Sequence, residues 1–203
     1  QNPQIVITID SIHDVSCNGL ADGDIYITPT GGSGIYTSYS WSDGSSSQDL
    51  IDEPTGTYSV TVTDNLGCLD SNSAFIDEPA VLTVTASGTN PLCNGDSSGT
   101  ATAAPVGGTT PYTYDWDDYA SQTTITANTL PAGTYEVTVT DSNGCTAVDN
   151  TTLTNPTAIT ITFSPTNVLC FGDATGELTA TANNAAAPVV YDWSNGVNNS
   201  ATI

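Results

Sequence analysis

The sequence predicts an all-β fold, built as tandem β-sandwich modules of about 77 residues stacked end to end. Three observations carry this. First, landmarks recur at one interval. Cys17, Cys93 and Cys170 lie 76 and 77 residues apart, Cys68 and Cys145 lie 77 apart, and Trp41, Trp116 and Trp193 lie 75 and 77 apart. Second, apolar residues alternate with polar ones over short runs, the period of a half-buried strand, and no segment shows helical periodicity. Third, glycine- and proline-bearing turn signals separate these runs at regular distances, as in a sandwich or barrel.

The second repeat reads most clearly. Leu82, Val84 and Ala86 alternate with Thr83 and Thr85 as a first strand. Cys93-Asn94-Gly95 opens a turn that runs to Gly99. Ala101 and Ala103 mark a second strand, which Gly107-Gly108 breaks. Tyr112, Tyr114 and Trp116 share one face of a third. Thr123 to Ala127 is a weaker strand, and Leu130-Pro131-Ala132-Gly133 turns the chain. Tyr135, Val137 and Val139 form the clearest strand, and Asp141-Ser142-Asn143-Gly144 is a hairpin turn with glycine supplying the positive φ. Cys145 begins the last strand, which ends near Leu153.

The other units repeat this order, with one slip. Counted back from cysteine, Leu82 aligns with Val6, yet the first unit's apolar face is Ile5, Ile7 and Ile9. A one-residue slip turns a strand over, so a bulge or altered register is expected there. The modules are expected at 1–79, 80–156 and 157–203, the last being the first part of a third repeat that continues beyond Ile203. Short links carrying Pro79 and Pro156 predict a semi-rigid stack rather than independent tumbling. Such a stack asks each module's two ends to lie at opposite poles. Six strands leave them together, so an additional short or split strand is expected between residues 117 and 130.

The composition holds 22 Asp plus Glu and no Lys or Arg, a formal net charge of −22. A field of one sign repels nucleic acid and anionic membrane surfaces and attracts cations. No nucleic-acid partner and no direct membrane insertion are therefore expected. The partners expected are neighbouring repeats of the same chain, other copies in a filament, or a surface polysaccharide. His13 is the only histidine, and no Ser/His/Asp or paired-carboxylate pattern recurs, so no catalytic residue and no enzyme activity are expected.

Two cysteines per repeat, without CxxC or Cys–His spacing, suit an oxidising extracellular setting rather than zinc. The pairing expected is Cys17–Cys68 and Cys93–Cys145, with Cys170 paired beyond Ile203. Each such loop would stabilise its module by roughly 4 kcal/mol in the chain-entropy account. The rival pairing joins Cys68 to Cys93 and Cys145 to Cys170.

Cys93-Asn94-Gly95, Gly107-Gly108, Pro111-Tyr112-Thr113-Tyr114-Asp115-Trp116 and the run from Leu130 to Cys145 resemble the SprB-type repeat of giant surface adhesins in gliding Bacteroidetes. The resemblance covers the whole sequence. The first unit departs with Ile35 and Glu53-Pro54-Thr55-Gly56, and the third with Phe171 in place of asparagine. The resemblance implies an immunoglobulin-like or PKD-like sandwich, type IX export, and a place on the cell surface or in an extracellular filament. It implies a shaft or spacer role, linked to gliding motility. The alternative is that the repeats themselves bind polysaccharide or another surface ligand.

Candidate site residues follow from chemistry. Trp41, Trp116 and Trp193 are expected as core anchors, the rival reading being a sugar platform. Tyr58 and Tyr135, after Gly-Thr, have the setting of a tyrosine corner. No cofactor is required. Ca²⁺ candidates are Asp22, Asp24, Asp115, Asp117 and Asp118, although they lack an EF-hand pattern, and turn chemistry is the preferred reading. Asn150 and Asn198 match the N-glycosylation acceptor, and Ser11 resembles a short O-glycosylation site.

Overall fold

A computed structural model describes residues 3–197 and 200–202. All regular structure among the described residues is β. The described residues pack as two compact units, one of residues 3–87, 102–127 and 135–150, the other of residues 88–101, 128–134, 151–197 and 200–202.

The first module lies within the first unit. One antiparallel sheet has the order β1 (Val6–His13), β2 (Ala21–Thr30), β4 (Leu50–Pro54). The other has the order β3 (Tyr36–Trp41), β5 (Gly56–Asp64), β6 (Leu69–Ile76). Alternation sends one face of each strand inward. Ile25 and Ile27 of β2 and Val60 and Val62 of β5 are nearly or fully buried, and Ile5, Ile7, Val15, Trp41, Leu50, Tyr58, Ala74 and Ile76 complete the core. Fully burying each Val or Ile contributes about 1.5–3 kcal/mol. With no lysine or arginine to pair its acids, this module rests on that burial and on backbone hydrogen bonds.

The slip in the first strand is a β-bulge. Ile9 faces Ile27 and Ser11 faces Tyr26, so Asp10 is the extra residue. The bulge absorbs the one-residue offset and keeps Ile5 and Ile7 on the buried face while Ile12 still faces Ile25.

The registers fix which end of the module each turn occupies. β1 runs from the entry end to the exit end, and β2 returns. β3 starts at the entry end, with Tyr36 opposite Asp64, but stops at Trp41, opposite Val60 in mid-strand. The loop after it changes sheet, and β4 completes the crossing from Leu50, opposite Ile25, to Pro54, opposite Ala21. β5 returns and β6 exits. Six strands thus make five crossings, and the two ends lie at opposite poles without a seventh strand. The additional strand expected between 117 and 130 is not formed. The corresponding split is between the third and fourth strands, and the fourth strand of the second module lies at Thr126–Leu130, three residues later than read at Thr123.

The second module repeats this order. β7 (Thr83–Thr89), β8 (Gly99–Val106) and β10 (Thr126–Leu130) form one sheet, and β9 (Thr113–Trp116), β11 (Gly133–Thr140) and β12 (Thr146–Leu153) the other. The paired glycines after β2 and β8 are required by close approach. A Cβ on Gly31 would strike the carbonyl of Gln4, one on Gly107 that of Val81, and both glycines have positive φ. In the third repeat β13 (Thr160–Thr166) pairs with β14 (Glu177–Asn183). Ile161 and Phe163 of β13 are exposed, and Ala180 of β14 is buried.

Candidate functional site

The chemistry of this chain concentrates where the first module meets the second, and every residue of that junction belongs to the first unit. Cys17 follows β1 in a tight turn closed by Leu20 N–H donating to Cys17 O, 3.0 Å. The turn is held beneath by Asp22, whose carboxylate accepts from the Ser16 N–H at 3.0 Å and from the Ser16 hydroxyl. Those donors, the hydroxyl first, lower the Asp22 pKa. The next two residues grip the link. Asn18 Nδ2 donates to Pro79 O at 3.1 Å, and Gly19 N–H donates to Glu78 Oε2 at 3.0 Å. Asp77 N–H donates to Asp14 Oδ1 at 2.8 Å, and Val15 N–H to Asp77 O at 3.1 Å.

The second module brings its β11–β12 hairpin to the same place. Asp141, 5% exposed, accepts from the N–H groups of Thr109 (2.8 Å), Asn143 (2.9 Å) and Cys145 (2.9 Å). Burial pushes its carboxyl up, but the backbone donors outweigh that and hold it below the ordinary 3.8. Asp64 does the same in the first module, accepting from Ser33, Leu66 and Cys68, with its pKa likewise lowered against burial. Asn143, fixed by this hairpin, donates from Nδ2 to Ser16 O at 2.9 Å. Beside it Cys17 and Cys145 form a disulfide, with Cα atoms 5.7 Å apart and a sequence separation of 128.

This bridge corrects the expected pairing. Cys17 is joined to Cys145, not Cys68, and Cys93 is therefore not joined to Cys145. Cys68, Cys93 and Cys170 are exposed thiols. The reason is the crossing count. Cys17 and Cys68 are separated by β2, by β3 and β4 sharing one crossing, and by β5, three crossings that leave them at opposite poles. Counted as four strands, they would share a pole.

Asn18 and its counterpart carry a role that the sequence reading missed. In the second unit Asn94 Nδ2 donates to Pro156 O at 2.9 Å, Gly95 N–H to Asn155 Oδ1 at 3.2 Å, and Thr154 N–H to Asn90 Oδ1 at 2.8 Å. The signal was present: the asparagine after the first cysteine recurs with the link proline, Asn18 with Pro79 and Asn94 with Pro156.

The remaining candidates take the following places. Trp41 and Trp116 are buried, and their indole N–H groups donate to Ser47 O and Thr124 O, each at 3.0 Å. Trp193 is half-buried, against Phe163 with ring centroids 6.1 Å apart, and donates to Ser200 O. It is less a core anchor than expected, because the β13–β14 pair covers it on one side. Tyr58 and Tyr135 are buried, and the Tyr58 hydroxyl donates to Pro54 O at 2.9 Å, the geometry of a tyrosine corner.

The five candidate aspartates do not converge, and the described residues contain no group of three or more metal-binding side chains. Asp24 accepts from the Tyr26 hydroxyl and Asp52 N–H and faces His13 at 3.4 Å. Asp117 accepts from Glu136 N–H at 2.8 Å, and Asp115 is exposed on β9. Asp118 is buried and accepts from Ala120 N–H and from Gln122 through N–H and Nε2. Burial pushes its pKa up, but the Gln122 and backbone donors hold it lower. Ser11 and Asn150 are exposed on β1 and β12, and Asn198 lies outside the described residues.

The sequence model of the SprB repeat matches three times, at residues 9–46, 85–121 and 162–198. No curated protein matches the chain. Solved structures similar to it include the N-terminal four Ig domains of Dscam1 isoform 9.44, at 12% identity, covering 75% of this chain and 46% of that one, with a TM-score of 0.36. A second is the C-terminal 282-residue fragment of intimin in complex with the intimin-binding domain of its translocated receptor, at 14% identity, 81% and 66% coverage, and a TM-score of 0.40. A third is a tetra-tandem repeat in the extending region of a large adhesion protein, at 18% identity, 99% and 62% coverage, and a TM-score of 0.28. The chain spans about half the length of the Dscam fragments it matches.

Proposed function

The chain belongs to the SprB repeat family, and on that premise we propose that it is a shaft or spacer region of an extracellular, cell-surface adhesin. The observation that carries this reading is the bridge from Cys17 to Cys145, which ties one module to the next instead of closing a module on itself. A connection that also fixes the link through Asn18, Gly19 and Asn143 suits a part whose task is to hold spacing. The same proposal includes export by the type IX route, attachment to a gliding-motility adhesin of a Bacteroidetes surface, and no catalytic role. These finer points rest on the family alone.

Backbone ¹⁵N relaxation of the oxidised chain tests the reading. Residues of the first and second modules are expected to share one rotational correlation time, and reduction should let them separate. Independent tumbling of the oxidised modules would defeat it. The rival function, direct binding of polysaccharide, is tested by biolayer interferometry of the immobilised chain against alginate, agarose and chitin. No saturable response is expected. Saturable binding lost in Tyr119→Ala, the most exposed tyrosine at 107%, would transfer the function to the repeats themselves.

A further inference from the structure

We propose that the bridge between Cys17 and Cys145 is a bypass for tension, and that it recurs from module to module. The proposal deepens the shaft reading and rests on it. The bridge joins two residues 128 apart in sequence. Between them lie β2 to β11, every strand of the first module except β1 and every strand of the second except β12. A pull on the chain therefore passes along β1, across the disulfide, and into β12 and then β13. The looped residues lie outside the load path. At roughly 3.4 Å per extended residue, about 430 Å of chain is withheld. β1, β12 and β13 on that path are already extended, at about 3.3 Å per residue, so these strands have little slack of their own to give up.

Three further observations bear on recurrence. Cys93 occupies the position of Cys17, and Cys68 that of Cys145, and both are exposed thiols. The turn carrying Cys93 already grips its own link through Asn94 and Gly95, as the turn carrying Cys17 does through Asn18 and Gly19. Leu92, which stands where Ser16 meets Asn143, is 80% exposed. In an array Cys93 takes the hairpin cysteine of the next module, the one whose first strand is β13, as Cys17 takes Cys145, and Cys68 takes the turn cysteine of the preceding module. Each closure converts two thiols to a disulfide by exchange with a protein disulfide donor, which leaves as a dithiol with the two electrons and two protons.

Force spectroscopy on the 203-residue chain, held by cysteine-free tags at its two ends, tests the bypass. Oxidised molecules are expected to reach a final contour length about 430 Å shorter than molecules in reductant. Cys68→Ser/Cys93→Ser should keep the short contour, and Cys17→Ser/Cys145→Ser should show the long one without reductant. Equal contours in both redox states overturn the proposal. So does a shortening of about 170 Å, the mark of a Cys17–Cys68 loop. Recurrence is read by non-reducing peptide mapping of the native full-length protein, where Cys93 should be linked to the hairpin cysteine of the third repeat. A Cys68–Cys93 link, or Cys93 as a free thiol, overturns it. A common tumbling time together with equal contours would sink the bypass and leave the shaft, and the reverse result would do the opposite.

Discussion

Asp64 and Asp141 are carboxylates enclosed by hairpins that also carry the second cysteine of each repeat. Both have pKa values held below 3.8, so protonating them in the folded state is harder than in the unfolded chain. The sign follows: the stability they contribute is complete above their unfolded value, about 3.9, and drains as pH falls from there through the folded value. Thermal midpoints measured from pH 6 to pH 2 should therefore fall less steeply in Asp64→Asn/Asp141→Asn than in the parent chain. Identical slopes would show that other carboxylates dominate acid unfolding. The tryptophans allow a second comparison. Trp116 is 1% exposed with its indole N–H satisfied internally, so Trp116→Ala should cost about 3–5 kcal/mol in urea unfolding. Trp193 is only half-buried, and Trp193→Ala should cost less than half as much. Equal losses would mean that the third repeat packs its indole as fully as the second.

At the scale of strands, the bulge at Asp10 makes a sharp expectation. Removing Asp10 leaves Ile9 opposite Ile27 and Ser11 opposite Tyr26, the pairing already present, so its deletion should shift the thermal midpoint by only a few degrees. Removing Thr8 instead turns the start of β1 over and exposes Ile5 and Ile7, so that variant should lose most of the first module's cooperativity. Differential scanning calorimetry of the two deletions checks this, and a tolerated Thr8 deletion would refute the register argument. The same element shows what was legible in the sequence. Alternation and the offset between Val6 and Leu82 were enough to read the strands and the bulge, because side-chain direction is local. The pole of each cysteine was not legible, because it depends on whether β3 and β4 share a crossing. Loop 42–49 decides that by changing sheet at mid-height, and no residue pattern in it announces the change. The asparagine grip on the link was missed for a related reason: Cys93-Asn94-Gly95 read as a turn, and a turn hides where its side chains point.

For the whole chain, the charge of −22 is opposed by no lysine or arginine, and the ion pair among the described residues is the His13–Asp24 contact. Screening should therefore stabilise the fold. Raising NaCl from about 0.01 M to about 0.5 M shortens the Debye length from roughly 30 Å to a few ångströms and should raise the thermal midpoint. CaCl₂ at matched ionic strength should do about the same, since the acidic side chains are dispersed among local donors. A sharp rise at micromolar Ca²⁺ would assign some of them to a specific site instead. The loop closed by Cys17 and Cys145 has one more consequence, which concerns proteolysis. A protease that cuts any single bond between those two residues produces no separate pieces, because both fragments stay joined through sulfur. Nicked at Asp or Glu within that span by a glutamyl endopeptidase, the chain should migrate at its full mass without reductant and split into two bands with it. A cut beyond Cys145 should release a fragment under either condition. Damage to a loop would then leave the connection between neighbouring modules whole.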